Sequence, residues 1–520
     1  VARDQAIDAL RRILASDAFA DAPRSRDFLA FVVRETLDGR GHRLKERIVA
    51  RGALGKSASF DARSDAGVRV QAGRVRVALE RYYADEGSLD PVRIWLPKGS
   101  YVPVITAVQG EPAQPEVAGP PATLGPGVAV VRFSRSDEDE GTMPLATALT
   151  ESLAGALSTF PGIRVVGPID DDGPSPTAPA ERRLGTRLDV QYLLRGAVLT
   201  EGGTVVVTVR LVDGRSGEVV WAETFDRPHA SLSGFTGQDD VVRRVAGVVG
   251  DYSGEVIRHA AHRGGETSNP VVWSAMVEFY EGLEHTTPET AAHLHRSLLE
   301  AHAVEPQNPL LLSMLASTES FLARFSEDVD RAAMWDACEA HARQALALDP
   351  SSGHGHLVLG VAALARASVP VCLEHLRLAV DLSPANPSIL YGAGWVFAMA
   401  GECDYGAALI RESVRLNPAS PTSRYAFLAV DELMAGDFAA ALANAMRYPH
   451  TDDFWQPLLL ALALAGLGYR DEALAEVAKA SALVSDLQRK VRESEEFPRP
   501  CIEVLASQLD DLLEKGTRPA

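Results

Sequence analysis

Residues 52–57 read GALGKS, with glycine, lysine and serine in the order that cradles phosphate. A phosphate loop needs a further glycine five positions before the Gly-Lys pair, on a turn that follows a strand. Position 50 is Ala50, and the residues before it have a helical pattern, so nucleotide binding is not expected. His259 and His262 share a helix face in RHAAHR, and HLH stands at 293–295. Neither group has a third ligand at the spacing a metal requires. Cys338, Cys372, Cys403 and Cys501 form no CxxC pair, which fits a reducing compartment rather than a zinc or disulfide framework. The acidic runs at 137–140 and 170–172 read as solvated loops. No Ser/His/Asp or Cys/His grouping emerges. The expectation is a non-enzyme without metal or cofactor.

What remains is a basic stretch, VRVQAGRVRVALERYY (68–83), in which Arg69, Arg74 and Arg76 meet no acidic residue before Glu80. Its first half alternates as a half-buried strand does. As a helix, Val68, Ala72, Val75, Leu79 and Tyr82 fall on one apolar stripe, with the arginines on adjacent faces. Only the helix accounts for all sixteen residues.

The 520 residues carry a net charge of −19, which alone argues against nucleic acid. The charge is uneven. Residues 1–107 sum to +5 and the remainder to −24: a basic head on an acidic body. No apolar run reaches membrane-spanning length, and the charged N-terminus is no signal peptide. These features point to a bacterial-type cytoplasmic protein of several domains.

Residues 108–127 read as a Pro/Gly-rich linker. Residues 128–262 read as α/β. VAVVRF (128–133) is a strand, 143–160 a helix and IRVVG (163–167) a strand. Two long strands joined by EGG follow, then VVWAETFD and a closing helix over 235–260. From 271 to 520 the pattern is helical. Pro350, Pro384 and Pro418 recur at intervals of 34, the period of a helix-turn-helix repeat closed by proline. The unit 387–418 resembles the tetratricopeptide pattern at Leu390, Gly394, Phe397, Gly406, Ile410 and Pro418. Pro306 suggests an earlier unit lengthened by about ten residues, and six units are expected.

Around the basic stretch lie RSRDFLAFVVRETLDG (24–39), RLKERIVARGALG (43–55) and the hairpin-like DPVRIWLPKGSYVPVI (90–105). Here the sequence resembles the OmpR/PhoB-type winged-helix family. VRVQAGRVRVALE is similar to its recognition helix and RIWLPKGSYVPV to its wing. The resemblance implies duplex DNA as a partner. Arg74 and Arg76 match the recognition-helix arginines and Lys98 the basic wing residue. Arg69 and Gln71 stand near the helix start, where bases are read; Arg63 and Arg81 are weaker phosphate candidates. Gly73 departs from the family, which has a large basic residue there.

Residues 128–262 resemble the TolB amino-terminal-like (FlgO-like) domain, which could connect its neighbours or bind an unknown small ligand. The fold expected is thus multidomain, α and α/β. It comprises a winged helix-turn-helix (1–107), a small α/β domain (128–262) and a C-terminal all-α tetratricopeptide solenoid (271–520). The function expected is a DNA-binding transcription regulator whose repeats bind protein. The alternatives are a tetratricopeptide scaffold without DNA binding, or a regulatory relative of multidomain cyclases lacking the catalytic domain. A stripe of Val504, Leu505, Leu509, Leu512 and Leu513 either caps the last repeat or helps hold a homodimer.

Overall fold

The computed structural model describes residues 3–514, apart from 20–21, 39, 42–43, 45, 54–66, 85, 88–89, 91, 98–100, 108–124, 136–141, 172–176, 202, 229–234, 263–268, 283–286, 420–421 and 449–452. The chain divides into two compact units, Val1–Pro121 and Ala122–Ala520.

The first unit holds α1 (Arg3–Ala15), α2 (Pro23–Leu37), α3 (Glu46–Gly52) and α4 (Gly67–Ala84). A two-stranded antiparallel sheet follows, β1 (Val92–Trp95) paired with β2 (Val104–Ala107). The basic stretch is therefore helix throughout. Val68, Ala72, Val75, Leu79 and Tyr82 are buried against Phe28, Val32, Val49 and Ile94. Arg12 and the Tyr82 hydroxyl both donate to Asp90, at 2.7 and 2.6 Å, tying α1 and α4 to the segment that leads into β1.

The second unit opens with a sheet of β3 (Gly127–Val131), β4 (Ser134–Arg135), β5 (Arg164–Ile169), β6 (Tyr192–Glu201), β7 (Thr204–Asp213) and β8 (Val219–Pro228). The order is β5-β3-β6-β7-β8, with β4 beside β6. The first pairings are parallel, joined through α5 (Thr142–Leu157) and α6 (Ala178–Leu188); β6, β7 and β8 form an antiparallel meander. Val205, Val207, Val209 and Leu211 alternate onto the face covered by α5 and by α7 (Phe235–Gly250).

The single closing helix expected over 235–260 is in fact two. α7 ends at Gly250, and α8 (Glu255–His262) begins after a tight turn. A side chain at Gly254 would stand 2.7 Å from the Val248 carbonyl, so the turn admits only glycine there.

Six helix pairs follow among the described residues: α9 (Pro270–Gly282) with α10 (Pro288–Val304), α11 (Pro309–Phe325) with α12 (Arg331–Leu348), α13 (Gly353–Ala365) with α14 (Val369–Leu382), α15 (Pro387–Met399) with α16 (Cys403–Leu416), α17 (Ser423–Ala435) with α18 (Phe438–Met446), and α19 (Trp455–Gly466) with α20 (Arg470–Leu483). Two short-loop helices, α21 (Leu487–Glu493) and α22 (Arg499–Glu514), close the chain. First helices of successive pairs pack on one another, α11 on α13, α13 on α15 and α17 on α19, as in a tetratricopeptide solenoid. This core is continuous with that of the sheet layer: Val128, Tyr192 and Val245 share one cluster with Trp273, Leu311 and Ala385.

The period is written in the backbone. Asn386 caps α15 through the Ile389 N–H, and Ser352, 34 positions earlier, caps α13 through the Gly355 N–H. The turns inside the pairs repeat as well. Gly401, Gly436 and Gly468 adopt positive φ, and the next residue donates to a carbonyl five positions back. This is the glycine-closed helix end of a Schellman turn. The same turn in the α13–α14 pair carries Ala367 at φ 57, with Ser368 donating to Ala363. Alanine is strained there by about 1–2 kcal/mol, and glycine returns part of that through unfolded-chain entropy. Ala367→Gly is expected to stabilise the chain by roughly 0.5–1 kcal/mol. A lowered urea midpoint would contradict this.

Candidate functional site

The head unit was the expected site, and two of its candidate side chains turn to the fold itself. Gln71 is buried, and its Nε2 donates to Ser25 Oγ at 2.6 Å. Arg76 donates from Nε to the Leu96 carbonyl at 2.8 Å and from Nη2 to the Pro97 carbonyl at 2.7 Å. It ties α4 to the end of β1. Both residues serve the fold, which corrects their assignment to bases. Arg74 is exposed on α4. Arg69 and Arg81 lie in α4 with side chains outside the described residues, as are Arg63 and Lys98 altogether.

The C-terminal stripe is spent too. Leu505, Leu509 and Leu512 are buried in one cluster with Leu459, Leu462 and Val477. The helix caps the last repeat, so the stripe offers no dimer seam.

The sites the structure does assemble lie on the first helices of the repeats. Two features of the sequence build them. The turn Gly250–Gly254 projects Asp251 and Tyr252 from the sheet layer into the repeats. Ser388 N–H donates to Asp251 Oδ1 at 3.2 Å and Asn417 Nδ2 to Oδ2 at 3.3 Å. The carboxylate thus sits at the N-terminus of α15, where the helix dipole favours it. Arg424 of α17 lies 3.8 Å away and donates to Ser413 Oγ at 2.7 Å and Ser388 Oγ at 3.2 Å. Both charges are essentially fully buried. Burial pulls the Arg424 guanidinium below its ordinary pKa, and Asp251 opposes that.

Tyr252 stacks on Tyr280, ring centroids 5.2 Å apart. Its hydroxyl meets His354 Nδ1 at 3.1 Å, and His354 Nε2 meets Ser317 Oγ at 2.7 Å. Burial pushes the imidazole down to about 4, so His354 is neutral at physiological pH. Beside this polar strip lies a cavity of about 250 Å³, lined mainly by Phe279, Leu294, Phe321, Leu357, Ile389 and Tyr391.

The second feature is the segment between α21 and α22, which turns back to meet α11 and α15. Phe497 packs edge-on against Trp455, and the Trp395 indole N–H donates to the Glu496 carbonyl at 2.9 Å. An open groove of about 830 Å³ results. Arg324 lies over the Trp395 ring, 4.2 Å from its centroid. Trp335, Arg331, Arg366 and Arg499 line the groove with it, against Glu493 and Glu495. Arg331 and Arg366 are about half exposed. Arg366 is also paired with Asp336 and Glu339.

Of the histidines flagged from sequence, His259 and His295 are held by partners within the fold, His293 is exposed beside Glu278, and the side chain of His262 lies outside the described residues. His259 Nδ1 meets Tyr192 OH at 2.9 Å. His295 and His341 flank the buried Glu319 at 3.2 and 2.9 Å, locking α10, α11 and α12 together. Burial pushes the Glu319 carboxyl up, but the two imidazoles outweigh it and hold it below the usual range. Among the described residues no metal-ligating group of three or more His, Cys, Asp or Glu gathers, and no helix is long and apolar enough to cross a membrane.

No protein-family model matches the chain. Over 130 residues it is 28% identical to the putative adenylate cyclase 3 of Rhizobium meliloti (strain 1021), a stretch covering 25% of this chain and 22% of that protein. The match therefore spans less than a quarter of the relative's length. Similar solved structures are repeat proteins. They include YrrB, a TPR protein with an unusual peptide-binding site (14% identical, 41% of this chain and 97% of that one, TM-score 0.28). Pseudomonas aeruginosa pilF (14%, 44% and 100%, TM-score 0.32) and the APC/C hetero-tetramer Cut9-Hcn1 (13%, 50% and 45%, TM-score 0.36) are others. At such scores the repeat assignment rests on the spacing and turns of this chain itself. The expectation of a DNA-binding transcription regulator is corrected. Gln71 is buried and Arg76 is bonded within its own unit, and what the chain's own spacing and turns support is the repeat scaffold.

Proposed function

We propose that the chain is a tetratricopeptide adaptor that binds, rather than transforms, a protein partner. The partner presents an extended segment carrying acidic and large apolar residues. The observation behind this reading is the groove beside Trp395. Four arginines and the half-buried Trp335 and Trp395 stand in it, inside a body that is otherwise strongly acidic. Tryptophan and arginine dominate the energetics of protein interfaces, and a basic groove steers acidic segments and repels basic ones. The head unit, with its winged-helix resemblance, then serves as an interaction module. The TolB-like layer serves as the strut that fixes the repeats. A second reading, a regulatory part shared with cyclase-related proteins, draws on the 130-residue match alone.

The test is selection of displayed random peptides on the full chain. Enrichment in Asp or Glu beside aromatic or aliphatic residues is expected. The exposed double variant Arg331→Glu/Arg366→Glu should bind the selected peptides at least about tenfold more weakly. Enrichment of basic peptides, or unchanged affinity in the double variant, would sink the proposal.

A further inference from the structure

We propose that the cavity between Tyr252 and the first helices of the repeats is a binding site for a small, neutral, largely apolar ring compound. This stands apart from the peptide reading, since the groove beside Trp395 has its own lining. Three observations carry it.

The first is size. A cavity of about 150 Å³ lined by leucine, isoleucine and phenylalanine holds benzene. At about 250 Å³ this one has room for one or two fused rings. The second is lining. Phe279, Phe321, Leu294, Leu357 and Ile389 supply aromatic and aliphatic walls. The pocket is half open rather than sealed, so a ring can enter it from solvent.

The third is charge. Arg424 is balanced by Asp251 within the buried pair. His354 is the remaining titratable imidazole on the lining, and it is neutral, with Tyr252 and Ser317 on its two nitrogens. The lining therefore offers no net charge to a ligand. An ion entering would lose its hydration without a counter-charge, whereas a neutral ring would not. The Ser317–His354–Tyr252 strip leaves one polar edge against which a hydroxyl or ring N–H can lie. Tyr252 belongs to the sheet layer and the other walls to the repeats, so a bound ring touches both.

The experiment is calorimetric titration of the full chain with a matched pair, 2-naphthol and 2-naphthoate. One site for 2-naphthol is expected, with 2-naphthoate at least about tenfold weaker. Leu357→Trp and Ala291→Met each fill part of the cavity and should weaken 2-naphthol binding to a similar degree. Hydrogen exchange adds a readout that needs no variant: 2-naphthol should slow exchange at 317–321 and 388–392. Absence of binding by 2-naphthol overturns the proposal. So does equal affinity for the anion, or protection that falls outside those segments.

Discussion

Asp251→Ala is expected to cost roughly 3–5 kcal/mol, since removing one partner leaves a buried guanidinium uncompensated. The loss exceeds that of an ordinary surface ion pair because both side chains are almost fully inaccessible and water cannot substitute. The carboxylate also accepts from Ser388 N–H, Asn417 Nδ2 and Ser253 Oγ, and each donor would be stranded with it. The double variant Asp251→Leu/Arg424→Met should recover part of the loss, because it removes the uncompensated guanidinium while the donors to Asp251 stay unpaired. Urea unfolding followed by far-UV circular dichroism measures both. A single-variant loss under about 1 kcal/mol, within the range of an exposed pair, would show that water reaches the pair.

Gly406→Leu should destabilise by at least about 3 kcal/mol, at the upper end of overpacking costs. A Cβ at Gly406 would stand 2.3 Å from the Gly394 carbonyl oxygen and 3.0 Å from the Ala398 nitrogen, and a Cβ at Gly394 would stand 2.6 Å from the Gly406 carbonyl. The obstacle in both directions is backbone, so no side-chain rotation relieves it. Gly73 is the natural control. It lies inside α4, and a Cβ there meets nothing within 4 Å. Gly73→Ala should therefore stabilise by about 1 kcal/mol through helix propensity. Thermal unfolding of the two variants must move in opposite directions; a neutral Gly406→Leu would mean that α15 and α16 can separate at little cost.

The sequence made the repeats legible because their signals are local and periodic. Proline, cap and glycine positions recur at a fixed interval, and Gly394 and Gly406 mark the helix contact directly. The break in the closing helix was less visible, although Gly250, Asp251, Ser253 and Gly254 are turn residues in sequence. An apolar periodicity that resumes at Val256 and Ile257 masked it. The site built on that break was illegible for a further reason. Asp251 and Arg424 are separated by more than 170 positions, and pairing over such distances leaves no pattern along the chain. Gln71 was misread although a signal existed. It stands three positions after Val68 and four before Val75, within the apolar stripe, and a residue so placed packs inward whatever its hydrogen-bonding capacity. Arg76 occupies the matching edge, between Ala72 and Leu79.

The docking of α7 on the repeats changes how the solenoid can respond to load. Arg243 donates to the Pro384 carbonyl at 2.6 Å, and Arg244 to the carbonyls of Arg415 and Leu416 at 2.9 and 3.1 Å. The first target is the loop between two repeats and the second the C-terminal end of α16, just before the next repeat begins. In a free solenoid each repeat touches only its neighbours, and small rotations add up along the stack as they do in the coils of a spring. A rigid rod fastened across two successive joints removes that freedom, and the Asp251–Tyr252 turn pins α9, α13 and α17 to the same rod. The repeats from α9 to the start of α17 are thereby stiffened into a beam. The coils beyond them, from α18 to α22, pack around a hydrophobic cluster that they share with α15, α16 and α17. The rod's described polar contacts end at α17, so under load these coils are expected to yield before the beam does.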